Sequence, residues 1–182
     1  YKGILCAGIM KTGDDIFFLE FNCRLGDPEA QVILNLLDLT RCDLYDIFSQ
    51  CIDGKPINVF WKKGYVSNVV LSHIDYPLKK SDSNLKISIN WDGLKNKNKN
   101  KKIYWSNVKK IDGDLYTNGG RVLSLVNHSN DFYESFIEIY NCVKYINYDD
   151  MYYRKDIGLN KTYIRNNRES KPLKIAILGS TK

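Results

Sequence analysis

The chain begins with two apolar segments that flank a short polar turn. Tyr1 to Met10 is apolar and contains glycine, Thr12-Gly13-Asp14-Asp15 has the composition of a turn, and Ile16 to Asn22 is strongly apolar. Two such runs separated by a glycine-containing turn are typical of a β-hairpin. On its second strand Glu20 and Asn22 are two positions apart, so the pattern predicts that both side chains leave the same face.

Two helices are predicted after the hairpin. The first runs from Pro28 to about Leu37, with Asp27 as its N-cap and Pro28 at the first helical position. The second runs from Leu44 to about Ile52, between an Asp43 cap and Gly54. Helical spacing predicts the buried face of each helix, formed by Val32, Ile33, Leu36 and Leu37 in the first and by Leu44, Ile47, Phe48 and Cys51 in the second.

From Val59 the pattern changes to short apolar strands with turns between them, which favours a small β-barrel or sandwich. The predicted strands are Val66–Ser72, Leu85–Asn90, Ile103–Val108, Leu115–Asn118 and Arg121–Val126. Asp131, followed three residues later by Glu134, predicts a capped helix that packs on this sheet. Its predicted contact residues are Phe132, Phe136, Ile139, Tyr140, Val143 and Ile146.

These elements indicate an α+β fold in several segments. Residues 1–58 hold the hairpin and two helices, and residues 59–158 hold the β-rich domain. Residues 159–171 are polar and charged, as in a linker. Residues 172–182 combine a buried-strand pattern with Gly179-Ser180-Thr181, which predicts the first strand of a further α/β domain of the nucleotide-binding type.

Composition excludes several classes of function. Lys95, Lys97, Lys99, Lys101 and Lys102 supply five of the six net positive charges, and their alternation with asparagine predicts a solvated loop insertion rather than a nucleic-acid-binding face. No apolar run approaches the roughly 18 residues of a membrane span. The five cysteines are odd in number and lack C-x-x-C spacing, which argues against disulfides or zinc and favours a cytoplasmic protein.

Candidate chemistry is concentrated between Leu19 and Gln31. Glu20 and Asn22 offer adjacent oxygen donors, which suit Mg²⁺ or Mn²⁺ bound together with substrate phosphates. Arg24 can hold carboxylate or phosphate oxygens bidentately, and the helix after Gly26 begins with an end that favours anions. The alternative is an ordinary hairpin with Glu and Asn on its solvated face, followed by a capped helix.

This string resembles the metal-binding strand and loop of ATP-grasp ligases, most closely the glycinamide ribonucleotide synthetase (phosphoribosylamine–glycine ligase) family. That family has Glu-Phe-Asn-x-Arg-Phe/Leu-Gly-Asp-Pro-Glu-x-Gln, and residues 20–31 match it throughout. Residues 117–123 match its Thr-x-Gly-Gly-Arg-Val-Leu segment, and residues 153–158 match its Tyr-Arg-x-Asp-Ile-Gly signature. Residues 75–78 (Asp-Tyr-Pro-Leu for Gly-Tyr-Pro-Gly) and 104–107 (Tyr-Trp-Ser-Asn for His-Ala-Gly-Thr) depart from the pattern, so these two loops are expected to differ in shape.

The resemblance implies the C-terminal part of an ATP-dependent ligase of de novo purine synthesis, with residues 1–58 ending an ATP-grasp domain. Its substrates would be glycine, 5-phosphoribosylamine and ATP, and its products glycinamide ribonucleotide, ADP and phosphate. It implies that Glu20 and Asn22 bind Mg²⁺ or Mn²⁺ and that Arg24 stabilises an acyl phosphate. Gly26, Asp27 and Glu29 would shape the substrate pocket. Residues 1–182 alone are expected to be inactive, because the parts of the ligase that grip ATP and phosphoribosylamine are not among them.

Several alternatives stay open at this stage. Arg121 either faces the substrate cleft after its glycine pair or lies on the surface, and Arg154 with Asp156 is expected to be a local ion pair. His73 and His128 are expected to be structural or exposed. Another ATP-grasp carboxylate–amine ligase and a non-catalytic scaffold are the competing functions. Residues 172–182 are compatible with fusion to a further purine-pathway enzyme, with the formyltransferase that acts next as one candidate.

Overall fold

The structure, a computed structural model, describes residues 1–78, 84–95 and 101–158. It divides into two compact units, the first ending at Lys62 and the second beginning at Lys63. The boundary expected between residues 58 and 59 lies a few residues before this division. The linker expected at 159–171 and the strand expected at 172–182 lie outside the described residues.

The first unit opens with the predicted hairpin. Strands β1 (Cys6–Thr12) and β2 (Asp15–Asn22) pair antiparallel, and Gly13 takes a φ of 62° in the turn between them. The pairing contains one β-bulge, because Gly8 lies opposite Glu20 whereas Ile9 lies opposite Phe18. Leu19 is therefore an extra residue on β2, a feature that the apolar pattern did not indicate.

Two helices follow the hairpin, α1 (Glu29–Leu36) and α2 (Leu44–Asp53). The predicted caps of α2 are confirmed, since the Asp43 side chain accepts a hydrogen bond from the Tyr45 N–H and Gly54 is left-handed with φ 70°. The predicted Asp27 cap of α1 is wrong, because Pro28 occupies the N-cap position. Asp27 Oδ1 instead accepts a 2.9 Å hydrogen bond from Gln31 Nε2.

The predicted buried faces of these helices are only partly buried. Leu37 is 3% exposed, but Val32, Ile33 and Leu36 are half-buried and Phe48 is 41% exposed. The hairpin leaves large apolar side chains exposed, namely Ile9, Met10, Ile16, Phe17, Phe18, Leu19 and Phe21. The buried faces predicted for α1 and α2 are therefore confirmed only in part. Two strands and two short helices supply too little surface to cover one another.

Over its described residues, the second unit contains two antiparallel sheets, a short helix and a long helix. Its elements in chain order are β3 (Tyr65–His73), β4 (Lys86–Ile89), α3 (Trp91–Lys95), β5 (Lys101–Trp105), β6 (Val108–Ile111), β7 (Asp114–Thr117), β8 (Arg121–Ser129), α4 (Phe132–Val143), β9 (Ile146–Asn147) and β10 (Met151–Tyr152). Within the described residues the strand orders are β10-β3-β8-β5 and β6-β7-β4-β9. The mixed α and antiparallel β content agrees with the predicted class.

Two predictions fail between residues 95 and 117. The strand expected at Ile103–Val108 is two strands, because Ser106 and Asn107 separate β5 from β6. Strand β6 was not predicted, although Asp112-Gly113, with φ angles of 48° and 92°, forms the two-residue turn that joins it to β7. The loop predicted for the lysine tract is wrong at its ends, since Lys95 ends α3 and Lys101 and Lys102 begin β5. Lys97 and Lys99 lie outside the described residues.

The core of the second unit lies where α4 packs on the paired strands β3 and β8. Val69 pairs with Leu125 and Leu71 with Leu123 across the two strands, and all four side chains are at most 4% exposed. Ile139 and Val143 of α4 complete this core at 1% and 2% exposure. The Asp131 cap of α4 is confirmed, because its side chain accepts a hydrogen bond from the Glu134 N–H at 2.9 Å. No helix in the described ranges combines the length and apolarity needed to span a membrane.

Substitution of Ile139 tests how much this core depends on α4. We expect Ile139→Ala to lower the free energy of unfolding by about 2–5 kcal/mol, because it leaves a cavity beneath the helix. Ile137→Ala is the matched control on the same helix, and its side chain is 53% exposed. Urea denaturation of both variants measures the difference. Equal losses in the two variants would contradict the assignment of the core face.

We expect the protein to lose stability at alkaline pH because the Tyr148 phenol is buried. Its side chain is 2% exposed and its hydroxyl donates a 3.0 Å hydrogen bond to the Ser72 carbonyl oxygen, and burial raises the pKa of this phenol well above 10. Above about pH 10 the unfolded chain releases a proton that the folded protein retains, so the stabilisation is complete below that pH and decreases above it.

The variant Tyr148→Phe isolates this effect. At pH 9 the variant is expected to be about 1 kcal/mol less stable than the wild type, because it lacks the hydrogen bond to Ser72. Above about pH 10 the gap between the wild type and the variant shrinks by up to about 1.4 kcal/mol for each pH unit. Urea denaturation between pH 8 and 11 measures both proteins, and a gap that stays constant over this range would refute the prediction.

Candidate functional site

Glu20 and Asn22 form a side-chain pair at the end of β2. Asn22 Nδ2 donates a 2.9 Å hydrogen bond to Glu20 Oε1, so the two polar heads meet on one side of the hairpin. The prediction that they share a face is confirmed. The pair presents a carboxylate and an amide to solvent on a hydrogen-bonded strand.

The bulge in the hairpin separates this polar pair from the neighbouring aromatic rings. In a regular strand Phe18 would share the face of Glu20, because side chains alternate with a period of two. The extra residue Leu19 shifts that alternation, and the Phe18 ring instead packs against Phe21 with centroids 4.4 Å apart. As a result, the Phe18 ring does not share the strand face of Glu20.

Gly8 is a further residue of the site that sequence reasoning missed. It lies opposite Glu20, and a Cβ atom added to it would lie 3.3 Å from Glu20 Cγ. That distance is shorter than an ordinary van der Waals contact, so a side chain at position 8 would crowd the Glu20 Cγ atom. The only signal in the sequence was a glycine within an apolar strand, which often marks a bulge or a close approach.

The loop after β2 holds the other predicted residues. Arg24 is exposed, and its Nη1 donates a 2.9 Å hydrogen bond to the Leu25 carbonyl oxygen. The Glu29 carboxylate folds back over Gly26, where an added Cβ would lie 2.2 Å from Glu29 Oε2. Gly26 therefore leaves room for the carboxylate at the start of α1.

Gln31 contributes an unsatisfied acceptor beside this loop. Its Nε2 donates to Asp27, whereas its Oε1 is buried and has no hydrogen-bond partner among the described residues. Buried acceptors in folded proteins are nearly always satisfied, so this oxygen is suited to a donor from a bound molecule or an ordered water.

The donor set at Glu20 and Asn22 fits part of a magnesium or manganese coordination sphere. Mg²⁺ is usually held by one or two carboxylates, with water and substrate phosphates completing six ligands. Over residues 1–78, 84–95 and 101–158, no group of three or more His, Cys, Asp or Glu side chains is arranged to hold a metal ion. The pair therefore suits a cation that arrives with a phosphate substrate, and not a closed structural site.

Arg121, the remaining predicted site residue, lies in the second unit as the first residue of β8. It is half-buried, and its carbonyl oxygen accepts hydrogen bonds from the Asn107 backbone N–H (3.1 Å) and Nδ2 (2.9 Å). The preceding Gly120 accepts a 2.7 Å hydrogen bond from the His73 N–H, and an added Cβ would lie 2.2 Å from the Tyr76 ring. Gly120 thus allows a close approach of Tyr76 to the backbone, whereas the neighbour of Gly119 is the Asn107 side chain.

His73 has carboxylate neighbours that the sequence analysis did not find. Its side chain is 7% exposed, with Asp75 Oδ2 4.0 Å from Nδ1 and Asp150 Oδ2 3.6 Å from Nε2. His128 Nε2 lies 2.8 Å from the Lys63 carbonyl oxygen, in agreement with the structural role expected for it. The pairing of His73 with Asp150 joins residues that are distant in sequence, so no local pattern could reveal it.

The C-terminal signature at residues 153–158 has a structural role. Arg154 and Asp156 form the predicted ion pair through contacts of 3.0 and 2.8 Å, and the hydrogen bonds from Arg154 hold the pKa of Asp156 below its usual range. Tyr140 of α4 donates to the Arg154 carbonyl oxygen, and the Ile157 N–H donates back to the Tyr140 hydroxyl. The segment is thereby held on the helix.

Comparison with known proteins places these motifs in a family. Residues 66–160 match the family described as phosphoribosylglycinamide synthetase, C domain. A phosphoribosylamine–glycine ligase from Fusobacterium nucleatum is 36% identical over 161 residues, which cover 87% of this chain and 36% of that protein. A bifunctional purine biosynthetic protein from Dictyostelium discoideum is 38% identical over 170 residues, covering 87% of this chain and 20% of that protein.

A solved structure gives the same result. The crystal structure of phosphoribosylamine–glycine ligase from Thermotoga maritima matches with a TM-score of 0.65 at 28% identity, covering 84% of this chain and 36% of that one. The chain spans about a third or less of the length of these relatives. It belongs to the phosphoribosylglycinamide synthetase family, of which it carries the C domain.

A double-mutant cycle tests the role of Gly120. We expect Gly120→Ala to cost about 1–3 kcal/mol of stability, because the new methyl group meets the Tyr76 ring while the backbone angles remain accessible to alanine. In a Tyr76→Ala background the same change is expected to cost less than about 0.5 kcal/mol. Chemical denaturation of the four proteins gives the coupling energy. Additive losses would show that the ring contact is not the reason for glycine.

Proposed function

We propose that this chain is the C-terminal part of an ATP-dependent ligase that joins glycine to 5-phosphoribosylamine. The observation that carries the proposal is the Glu20–Asn22 pair, held at 2.9 Å on a hairpin in a chain of the synthetase family. The products would be glycinamide ribonucleotide, ADP and phosphate. Relatives named phosphoribosylamine–glycine ligase support this assignment.

In the proposed reaction the glycine carboxylate attacks the γ-phosphorus of ATP and ADP leaves. The amine of phosphoribosylamine then attacks the acyl carbon of the glycyl phosphate, and inorganic phosphate leaves. Positioning and charge stabilisation supply most of the catalysis in phosphoryl transfer. We assign these tasks to residues of the first unit.

We propose that Glu20 and Asn22 hold Mg²⁺ or Mn²⁺ through their oxygen atoms. When bound, the cation neutralises charge on the phosphates of ATP. Gly8 and the bulge at Leu19 keep the Glu20 side chain unobstructed by neighbouring rings. The Arg24 guanidinium is suited to the acyl phosphate, because it can donate two parallel hydrogen bonds to phosphate oxygens.

Substrate contacts are proposed around the start of α1. The Asp27 and Glu29 carboxylates can accept hydrogen bonds from an amine, and Gly26 leaves the space that Glu29 fills. The unpartnered Gln31 Oε1 adds an acceptor in the same loop. Arg121 is assigned to the substrate as well, on the basis of the family resemblance of its motif.

We also propose that residues 1–62 belong to an ATP-grasp domain whose other parts lie in the remainder of a longer protein. The support is the exposed apolar surface of the hairpin, together with the 36% of the Fusobacterium ligase that the chain spans. On this proposal residues 1–182 alone do not turn over. The β-rich unit would then be the small barrel or sandwich that follows this domain.

Two broader features accompany the proposal. We place the enzyme in the cytoplasm, since its five cysteines are free thiols. Fusion to further purine-pathway domains is proposed because relatives include bifunctional and trifunctional purine biosynthetic proteins. Neither nucleic acid nor a membrane is proposed as a partner.

A coupled assay of ADP release tests the function in a protein of full ligase length that contains these residues. ADP release is expected to require both glycine and phosphoribosylamine, and to fall by about a hundredfold or more in Glu20→Ala, because a metal ligand is lost. Asp15→Ala is the matched control, a carboxylate at the other end of the same strand, and should retain activity.

The outcomes separate the competing functions. Release that needs a different carboxylate or amine would assign another ligase of the same superfamily. No release from a folded protein under any of these conditions would support a scaffold. Full activity of Glu20→Ala would remove Glu20 from the metal site while leaving the ligase assignment intact.

A further inference from the structure

The second unit contains a cavity whose lining includes none of the residues assigned to the ligase reaction. The volume of the cavity is about 510 Å³, and it is bounded by α3, β5, β8 and α4. That volume falls within the range of small-molecule sites in proteins. Glu20 to Gln31 and Arg121 do not line it.

The lining combines an apolar floor with two tryptophans. Ile103 of β5 and Ile139 of α4 contribute to the floor, and Ile139 belongs to the packed core. Trp91 and Trp105 also line the cavity, yet they remain 46% and 43% exposed. Indole rings left half-exposed beside a cavity offer flat surfaces on which a planar ring can stack.

Three lysines give the cavity its charge. Lys95, Lys101 and Lys102 all line it. Lys101 Nζ lies 2.6 Å from Glu138 Oε2, and the two side chains are 12% and 30% exposed. Burial acts to lower the pKa of Lys101, but its interactions with Glu138 and Cys142 together outweigh burial and the pKa is raised. Lys101 therefore stays charged and is held by Glu138.

Lys95 and Lys102 are available to a ligand. Neither takes part in an ion pair within the described residues, whereas Lys55, Lys86 and Lys101 do. Both are exposed beside the tryptophans. Glu138 balances Lys101, and the described lining residues include no carboxylate, so Lys95 and Lys102 give the wall an excess of positive charge beside apolar and aromatic surface.

We propose that this cavity binds a planar aromatic anion, with its ring against Trp91 and Trp105 and its acidic group on Lys95 and Lys102. Charge complementarity selects an anion, and the indoles select a flat ring. A neutral aromatic molecule would not bind to the lysines, and inorganic phosphate would not stack on the tryptophans, so each should bind more weakly than an aromatic anion. The proposal uses none of the residues assigned to the ligase chemistry.

The probe for this test is 1-naphthyl phosphate, with 1-naphthol and inorganic phosphate for comparison. Two of the three tryptophans of the chain line the cavity, so quenching of intrinsic fluorescence reports occupancy, and titration calorimetry gives the affinity. A Trp61→Phe background removes the remaining tryptophan signal. We expect saturable binding of 1-naphthyl phosphate, at least about tenfold tighter than that of 1-naphthol.

Lysine variants locate the acidic group. Lys102→Gln is expected to weaken 1-naphthyl phosphate binding by about tenfold or more, and to leave 1-naphthol binding nearly unchanged. Lys110→Gln is the matched control, since it replaces an exposed strand lysine that does not line the cavity. Trp105→Leu should weaken both aromatic ligands, with circular dichroism confirming that the variant folds.

Several results would overturn the proposal. One is that the wild type shows no saturable binding of 1-naphthyl phosphate at millimolar concentration. Another is that it binds 1-naphthol as tightly as 1-naphthyl phosphate. A third is that Lys102→Gln and Lys110→Gln weaken the binding of 1-naphthyl phosphate equally. Loss of binding in Glu20→Ala would place the probe at the proposed metal site instead. Binding that survives Glu20→Ala supports the cavity, whatever the outcome of the ligase assay.

Discussion

The antiparallel pairing of β3 with β8 is the contact on which the second unit depends. Its apolar face packs under α4, and the Ser67 and Ser135 hydroxyls meet within that interface. From Val122 to Asn127 every residue of β8 is at most 4% exposed, which marks a strand covered on both faces. β5 pairs along the other edge of β8 and brings Trp105 and two lysines beside α4. The cavity lined by Trp91, Trp105 and the three lysines therefore depends on the pairing of β5 with β8.

The first unit, in contrast, is held together mainly by backbone hydrogen bonds rather than by a buried core. Its hairpin is held by backbone pairing, and most of its apolar side chains remain exposed. A two-stranded hairpin is only marginally stable without further packing, so the hairpin by itself holds the Glu20–Asn22 pair weakly. This gives a physical reason why the proposed activity needs more than these residues. Catalytic groups must be held close to their productive geometry to be effective.

Local signals in the sequence predicted the elements well where the chemistry is local. The Asp43 and Asp131 caps, the Gly54 helix end and the Arg154–Asp156 pair each involve residues a few positions apart, and each was confirmed. Errors arose at the start of α1 and in the lysine tract. Pro28 took the cap position expected for Asp27, and the lysine tract supplied the ends of a helix and a strand. The apolar faces of α1 and α2 could not reveal that they are only partly buried, because burial depends on contacts with residues distant in the chain.

The sequence by itself determined the family, the α+β class and the face shared by Glu20 and Asn22, because motif identity and strand periodicity are properties of neighbouring residues. Only the tertiary structure decided the bulge at Leu19 that turns Phe18 away from Glu20, and the contact of Gly120 with Tyr76. It also decided the pairing of His73 with Asp150, and the cavity that joins α3, β5 and α4. The bulge is set by how β1 pairs with β2, and the other features bring together residues far apart in the chain, so packing rather than a local preference sets their geometry.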